Sequence, residues 1–329
     1  MTLLAPTLQA FFTERLQTQR QASPHTIGAY RDTMRLLLTF ATEQTGKPPS
    51  RLEFSDLDAH LISAFLDYLE RERQNTARTR NVRLAAIRSL FRYAALRHPE
   101  HAEVIQRVLA IPAKRFDRAL VSFLTTEEVN ALLAAPDRST LTGRRDHALL
   151  LTAIQTGLRV SELTALRRHD VRLGTGAHVF CRGKNRKERC VPLTTQTVKV
   201  LTVWLRDRAG QPDDPLFPSN RGGQLSRDAV AWLIAKHTAI AANRCSSIGA
   251  KNVTAHVLRH TNAMTMLQAG IDTTTIALWL GHEHEQTTRG YLHGDLALKQ
   301  RALDRVAPPH TSPGRYRASD NLLAFLENL

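Results

Sequence analysis

Cysteine is scarce in this chain. Only three occur in 329 residues, Cys181, Cys190 and Cys245, an odd number with no Cys-x-x-Cys pair. That argues for a reducing cytosol and against a disulfide framework or a cysteine zinc site. Long apolar runs are missing too. None approaches the roughly 18–20 residues of a spanning helix, so no membrane segment is expected. No signal peptide is expected either: no positive segment precedes Leu3-Leu4, and Glu14-Arg15 interrupt the apolar pattern. Repeats of the solenoid kind are absent. Acidic residues are in deficit, 30 Asp and Glu against 45 Lys and Arg, for a net charge of +15. A polyanion is the obvious partner; RNA, heparin or an anionic membrane surface would answer the same charge. Lysine is rare beside arginine. Arginine's forked contacts suit phosphate, and a biased genomic composition gives the same excess.

What is present divides in two. A hydrophobic fraction of 42% suffices for ordinary cores, and a chain of this length suggests two domains. The stretch before Pro112 reads as all helical. Ser23-Pro24 place an N-cap and a first-turn proline before Thr26, Tyr30, Met34 and Leu37 at helical spacing. Asp56 to Arg71 holds an amphipathic pattern through Leu57, Leu61, Ile62, Phe65, Leu66 and Leu69. Thr76 to His98 pairs an apolar face (Val82, Leu84, Ile87, Leu90, Phe91, Ala94) with Arg78, Arg80, Arg83, Arg88, Arg92 and Arg97. That stretch has no Asp or Glu, whereas a merely soluble helix mixes signs. A phosphate-contacting helix is the sharper reading, a solvated face the plainer one.

The boundary follows at Ile111-Pro112-Ala113-Lys114-Arg115-Phe116-Asp117-Arg118, short and basic. Thr125-Thr126-Glu127-Glu128 then has the form of a capping box, so a second domain begins near residue 119. Arg144 to Leu166 reads as helical with a break at Gly157, which puts Arg159 near the start of a new turn. His178–Cys181 and Arg189–Leu193 read as strands joined by the turn Gly183-Lys184-Asn185-Arg186-Lys187-Glu188. Helices resume over Asp228–His237, Leu258–Ala269 and Asp272–Leu280. Beyond a Pro-rich spacer from Pro308 to Gly314, the segment Asn321–Leu329 is apolar. It must bury itself on its own domain or on a neighbouring subunit.

His256 and His260 have the i,i+4 spacing of metal ligands, but the zinc-protease pattern needs Glu after the first His, and Val257 stands there. Arg259 on the same side would repel a cation. Neither this pair nor His282-Glu283-His284 is expected to bind metal. Arg259 opens an otherwise apolar helix and Arg159 lies among Leu158, Val160 and Leu163, so each needs an anionic partner. Glu162 is the structural candidate; a bound phosphate is the functional one.

These motifs, Thr156-Gly157-Leu158-Arg159-Val160-Ser161-Glu162-Leu163, the Gly183-Lys184 turn, His256-Val257-Leu258-Arg259-His260, Leu280-Gly281-His282 and then Tyr291, closely resemble those of the tyrosine recombinases, or phage-integrase family. The resemblance spans nearly the whole chain. It implies a mainly α fold with a small antiparallel β-sheet in the second domain. Residues 1–112 would form a helical core-binding (SAM-like) domain, 113–118 a linker, 119–305 the catalytic domain, and 306–329 a spacer and apolar helix docking on a neighbour. It implies Arg159, Lys184, His256, Arg259, His282 and the nucleophile Tyr291 as the catalytic set, with Glu162 in support. Arg78, Arg80, Arg83, Arg88, Arg92, Arg186 and Lys187 would contact DNA.

The implied activity is site-specific cleavage and rejoining of DNA through a 3′-phosphotyrosyl intermediate, without metal, ATP or other cofactor. A tyrosine with pKa near 10 needs proton removal or a strong positive field to attack at neutral pH. The implied setting is integration, excision or transposition of a mobile element, in the bacterial cytoplasm at the nucleoid. The expected partners are double-stranded DNA with inverted-repeat core sites, sister recombinases, and three further copies in a tetramer assembled from monomers. Topoisomerase IB-like relaxation and an inactive DNA-binding protein are the alternatives. Two positions depart from the family pattern: Asn185, where Gly is common, and Gly290, where a bulkier residue usually precedes the tyrosine. No arm-binding domain is expected before residue 1, so a compact core site is expected.

Overall fold

Helix caps set the element boundaries. The computed structural model describes residues 2–116, 122–183 and 188–281. Lys184, Arg186, Lys187, His282, Tyr291, the end of the linker and the segment 306–329 lie outside the described residues. The chain divides into two units, Met1–Arg118 and Ala119–Leu329.

In the first unit α1 spans Leu4–Ala10 and runs on as π-helical turns over Phe11–Gln19, burying Phe11 and Leu16. Helix α2 (Pro24–Thr45) starts where Ser23 accepts the Thr26 N–H at 3.2 Å and ends at Gly46, whose φ is 68°. Helix α3 (Ala59–Arg71) begins later than expected, at Asp58, which accepts the Leu61 N–H at 2.8 Å. Asp56 is bonded instead to Lys47, at 2.7 Å. Helix α4 (Ala77–Ala95) is capped by Thr76, and α5 (Ala102–Ala110) closes a core centred on Phe54, Phe65, Leu66 and Phe91.

Two expectations for α4 are corrected. Val82 is 57% exposed rather than part of the apolar face, because two residues before Leu84 is about 200° round a helix. The arginines are not one solvated stripe. Arg80 is only 5% exposed, lies 3.6 Å from Glu70 and donates to the Pro112 carbonyl at 3.3 Å. Arg88 donates to the Ile111 carbonyl. Both tie the segment after α5 back to the helix, as does Asn81, which exchanges bonds with Lys114 at 2.8 and 3.0 Å. Arg80 is therefore enclosed by protein groups rather than presented to a phosphate. Arg78 and Arg92 are exposed and Arg83 is half-buried.

The second unit opens with α6 (Thr126–Ala134). Its capping box is reciprocal: Thr125 accepts the Glu128 N–H at 3.3 Å, and Glu128 accepts the Thr125 N–H at 2.8 Å. The buried Glu128 also takes Lys251 at 2.6 Å. Helix α7 (Leu141–Thr156) is buried continuously from Asp146 to Ala153, and Asp146 meets His237 at 2.9 Å. After α8 (Val160–Ala165) comes a three-stranded antiparallel sheet in the order β1 (Val171–Arg172), β2 (His178–Arg182), β3 (Glu188–Pro192). The register sets Val179 opposite Val191 and Cys181 opposite Arg189. Helices α9 (Thr195–Asp207), α10 (Arg227–Ala242), α11 (Ser246–Gly249), α12 (Ala255–Gln268) and α13 (Thr273–Leu280) complete the described part. Strand β1 and helix α9 were not expected from the sequence. The architecture is mainly helical with a small antiparallel sheet.

Gly157 ends α7 at φ 64°. A Cβ there would lie 2.6 Å from Leu280 Cδ2 and 2.8 Å from Asn262 Oδ1. Gly157→Ala combines a left-handed backbone with overpacking, and is expected to cost on the order of 2–4 kcal/mol. Urea unfolding of wild type and variant measures it; equal midpoints would contradict the packing described.

Candidate active site

Arg159 owes its place to the way α7 stops. Gly157 turns the chain, Leu158 is buried, and Arg159 follows in extended conformation as the N-cap of α8. Its backbone N–H donates to Glu162 Oε2 at 2.9 Å, and its Nη1 to Glu162 Oε1 at 2.8 Å. Its Nη2 donates to the Gly281 carbonyl at 2.9 Å. The side chain keeps 33% of its exposure.

Arg259 comes from α12, whose N-cap is Thr254. It is 3% exposed. Nη1 donates to the Gly157 carbonyl at 2.6 Å and Nη2 to the Leu280 carbonyl at 2.7 Å. The structural partner expected for Arg259, Glu162, is bonded to other arginines. Two backbone carbonyls hold Arg259 instead.

A third arginine joins them, one to which the sequence reading assigned no role. Arg189 on β3 forks onto Glu162, Nη1 to Oε1 at 3.2 Å and Nη2 to Oε2 at 2.8 Å, while its Nε donates to the Trp279 carbonyl at 3.1 Å. The signal was available in strand alternation: Arg189 shares its face with the buried Val191, while Cys190 between them is exposed.

The three guanidiniums thus take three consecutive carbonyls, Trp279, Leu280 and Gly281, at the end of α13. Such carbonyls have no partner within their helix and lie at the negative end of its dipole. The end of α7 is treated likewise. Asn262 donates to the Gln155 carbonyl at 2.7 Å, Trp279 Nε1 to Thr156 at 3.1 Å, and Arg259 to Gly157. Gly281 itself has φ 64°, and a Cβ on it would lie 2.9 Å from Arg189 Nη1. The glycine of the Gly-His motif is therefore required by backbone and neighbour together.

Glu162 is 4% exposed. Burial pushes its carboxyl up, but hydrogen bonds and charge from Arg189, with the Arg159 bonds, outweigh it and hold the group below the usual carboxylate range. Burial lowers and Glu162 more strongly raises the Arg189 value. The cluster is an ionised one.

One turn before Arg259, His256 is exposed, and its ring meets that of the half-buried His260 edge to face, centroids 4.1 Å apart. Burial, then His256 and Arg259, push His260 down to about 4. The structure therefore brings together Arg159, Glu162 and Arg259, with His256 on the same helix as Arg259. Lys184, His282 and Tyr291 lie outside the described residues; in the chain His282 directly follows Gly281.

Comparison with known proteins agrees on one family. The model for the phage integrase family matches residues 122–297, and that for the phage integrase N-terminal SAM-like domain matches residues 10–98. A putative integrase/recombinase of Sinorhizobium fredii is 56% identical over 326 residues, covering 99% of this chain and 98% of that protein. Tyrosine recombinase XerC of Pelobacter propionicus is 33% identical over 304 residues, covering 92% and 95%. Two solved structures share the fold. The Tn1549 transposon integrase in complex with transposon right end DNA is 14% identical, with TM-score 0.69 over 94% of this chain and 100% of that one. The XerH site-specific recombinase in a post-cleavage complex with palindromic difH is 23% identical, with TM-score 0.69 over 87% and 81%. The chain belongs to the phage integrase family of tyrosine recombinases, enzymes of site-specific DNA recombination.

Proposed function

We propose that this recombinase cuts and reseals duplex DNA by transferring a phosphodiester to Tyr291 and back. Tyr291 Oη attacks phosphorus while His256 accepts its proton. The bond to the 5′ oxygen breaks, and Lys184 protonates that oxygen as it leaves. The 3′ phosphate stays on the tyrosine until a 5′-hydroxyl from another strand reverses the step. Arg159 and Arg259 hold the non-bridging oxygens and stabilise the charge of the transition state. His282 adds a hydrogen bond to the phosphate, and Glu162 orients Arg159.

The observation that carries this reading is the anchoring of Arg159 and Arg259 on adjacent carbonyls of one helix end, Gly281 and Leu280. Arg259 held by backbone carbonyls, and Arg159 held by a carbonyl together with the buried Glu162, suit a transition state that must be met without reorganisation. Residues 119–305 form the catalytic domain and 1–112 the core-binding domain. Arg78, Arg83 and Arg92 reach phosphates from α4, and Arg186 and Lys187 from the hairpin turn. Four copies assemble on inverted-repeat core sites, in the bacterial cytoplasm, to move or resolve a mobile element.

A nicked suicide duplex carrying the core site tests the chemistry. Wild type traps as a covalent adduct on a denaturing gel; Tyr291→Phe binds the duplex and traps nothing. Arg159→Ala slows trapping by about 100–1,000-fold. EDTA leaves trapping unchanged. An adduct from Tyr291→Phe would sink the nucleophile assignment, and relaxation of plasmids lacking any core site would favour a topoisomerase.

His260 provides a second, pH-based check. Its folded-state value, about 4, lies below the usual 6.5. The unfolded chain therefore takes the proton first, and stability is lost as pH falls through that window. His147, also lowered by burial, acts in the same direction, so the quantity to measure is a difference. His260→Gln is expected to flatten the fall in melting temperature between pH 6.5 and 4 relative to wild type. Parallel profiles would mean that His260 already titrates normally.

A further inference from the structure

We infer that Arg189 is a positioning residue of the strand-cleavage reaction, neutralising Glu162 so that Arg159 remains available to a phosphate. The inference rests on the reading of Arg159 as a phosphate clamp. It is carried by how the bonds are shared. Glu162 accepts four hydrogen bonds from two arginines, a pair from each. One of those from Arg159 comes from its backbone, so a single guanidinium nitrogen of Arg159 is committed to the carboxylate. Arg189 commits both terminal nitrogens in a fork. It is also the more enclosed of the two, with 13% side-chain exposure against 33%.

The division is therefore asymmetric. Arg189 acts as the buried counter-ion of Glu162, and Arg159 lies against the same carboxylate while still reaching outward. Without Arg189, Glu162 would be a buried carboxylate with Arg159 as its remaining ion-pair partner among the described residues. The guanidinium would be drawn onto it, and its charge would serve the carboxylate instead of a substrate.

Arg189 also acts on the other anchor of Arg159. Its Nε holds the Trp279 carbonyl, two residues before the Gly281 carbonyl that takes Arg159 Nη2. Its guanidinium fills the space that a Cβ at Gly281 would need. One side chain thus joins strand β3, the start of α8 and the end of α13. In the chain it stands five residues after Lys184, and its α13 partner, Trp279, stands three residues before His282. A lysine could not do this, since one ammonium cannot fork onto a carboxylate and reach a carbonyl along a second direction.

The test is the first-order rate of adduct formation on the suicide duplex at saturating protein, with binding affinity and melting temperature measured alongside. Arg189→Met is expected to lower the rate by about 100-fold and to change affinity by less than about threefold. Adding Glu162→Gln removes the carboxylate charge, so the double variant is expected to cleave about tenfold faster than Arg189→Met alone. Arg189→Lys, which keeps the charge and is the variant read if Arg189→Met does not fold, is expected to lose about tenfold. A purely structural ion pair would lower melting temperature and leave the bound complex cleaving at the wild-type rate. That result, or a double variant whose loss is the product of the two single losses, overturns the inference. Wild type that forms no adduct, or Arg159→Ala that cleaves normally, overturns the recombinase chemistry itself and this inference with it.

Discussion

Two helices of the second unit end against each other, and both endings are negative. Helices α7 and α13 each stop in a left-handed glycine, Gly157 and Gly281, with their last carbonyls unpaired. Left alone, two such ends would repel and would bury acceptors without donors, at a cost of roughly 1–3 kcal/mol for each group. Arg259 resolves this by donating one nitrogen to each ending, at Gly157 and at Leu280. Charge-assisted bonds of this kind are about twice as strong as neutral ones, which is what permits an arginine at 3% exposure. The Trp279 and Asn262 side chains complete the seam on the α7 side.

The rest of the site hangs from that seam. Once α13 is fixed against α7, its carbonyls become anchors for Arg189 and Arg159 as well. A Cβ at Gly157 would press on Leu280 and one at Gly281 on Arg189, each on a left-handed backbone. The two glycines are thus paired consequences of one packing event. The same event brings the start of α8, and with it Glu162, against the sheet. The described part of the fold arranges cations; the nucleophile proposed, Tyr291, lies in the chain that follows Gly281.

Much of this was legible in sequence because it was local. Gly157 as a helix stop, Thr125 and Glu128 as a capping box, the cap at Ser23, and the helix starts at Thr76 and Asp272 each need only a few neighbouring residues to be read. What could not be read was long-range. Arg189 meets Glu162 across 27 positions, and Arg80 meets Pro112 across 32. A stripe of arginines without acids looks solvent-facing until Glu70 and the Pro112 carbonyl close over one of them. Strand β1, two residues long, is too short to show a period. The structural alternative weighed for Arg259, Glu162, went to Arg159 and Arg189 for the same reason: a carboxylate can be found in a sequence, while every residue carries a carbonyl and none is marked as a helix-end acceptor.

That last point bears on the chemistry. An arginine paired with a carboxylate is well placed but electrically spent, since the pair is close to neutral. An arginine held by carbonyls is equally well placed, and its partners carry only partial charge. The cluster uses both arrangements. Glu162 is shared by Arg159 and Arg189, so one negative charge fixes two guanidiniums. Arg259 takes backbone oxygens from two helices. A site that stabilises additional negative charge on a phosphodiester gains from cations that are held rigidly. Anchoring on helix-end carbonyls supplies part of that rigidity from groups the fold already had to satisfy.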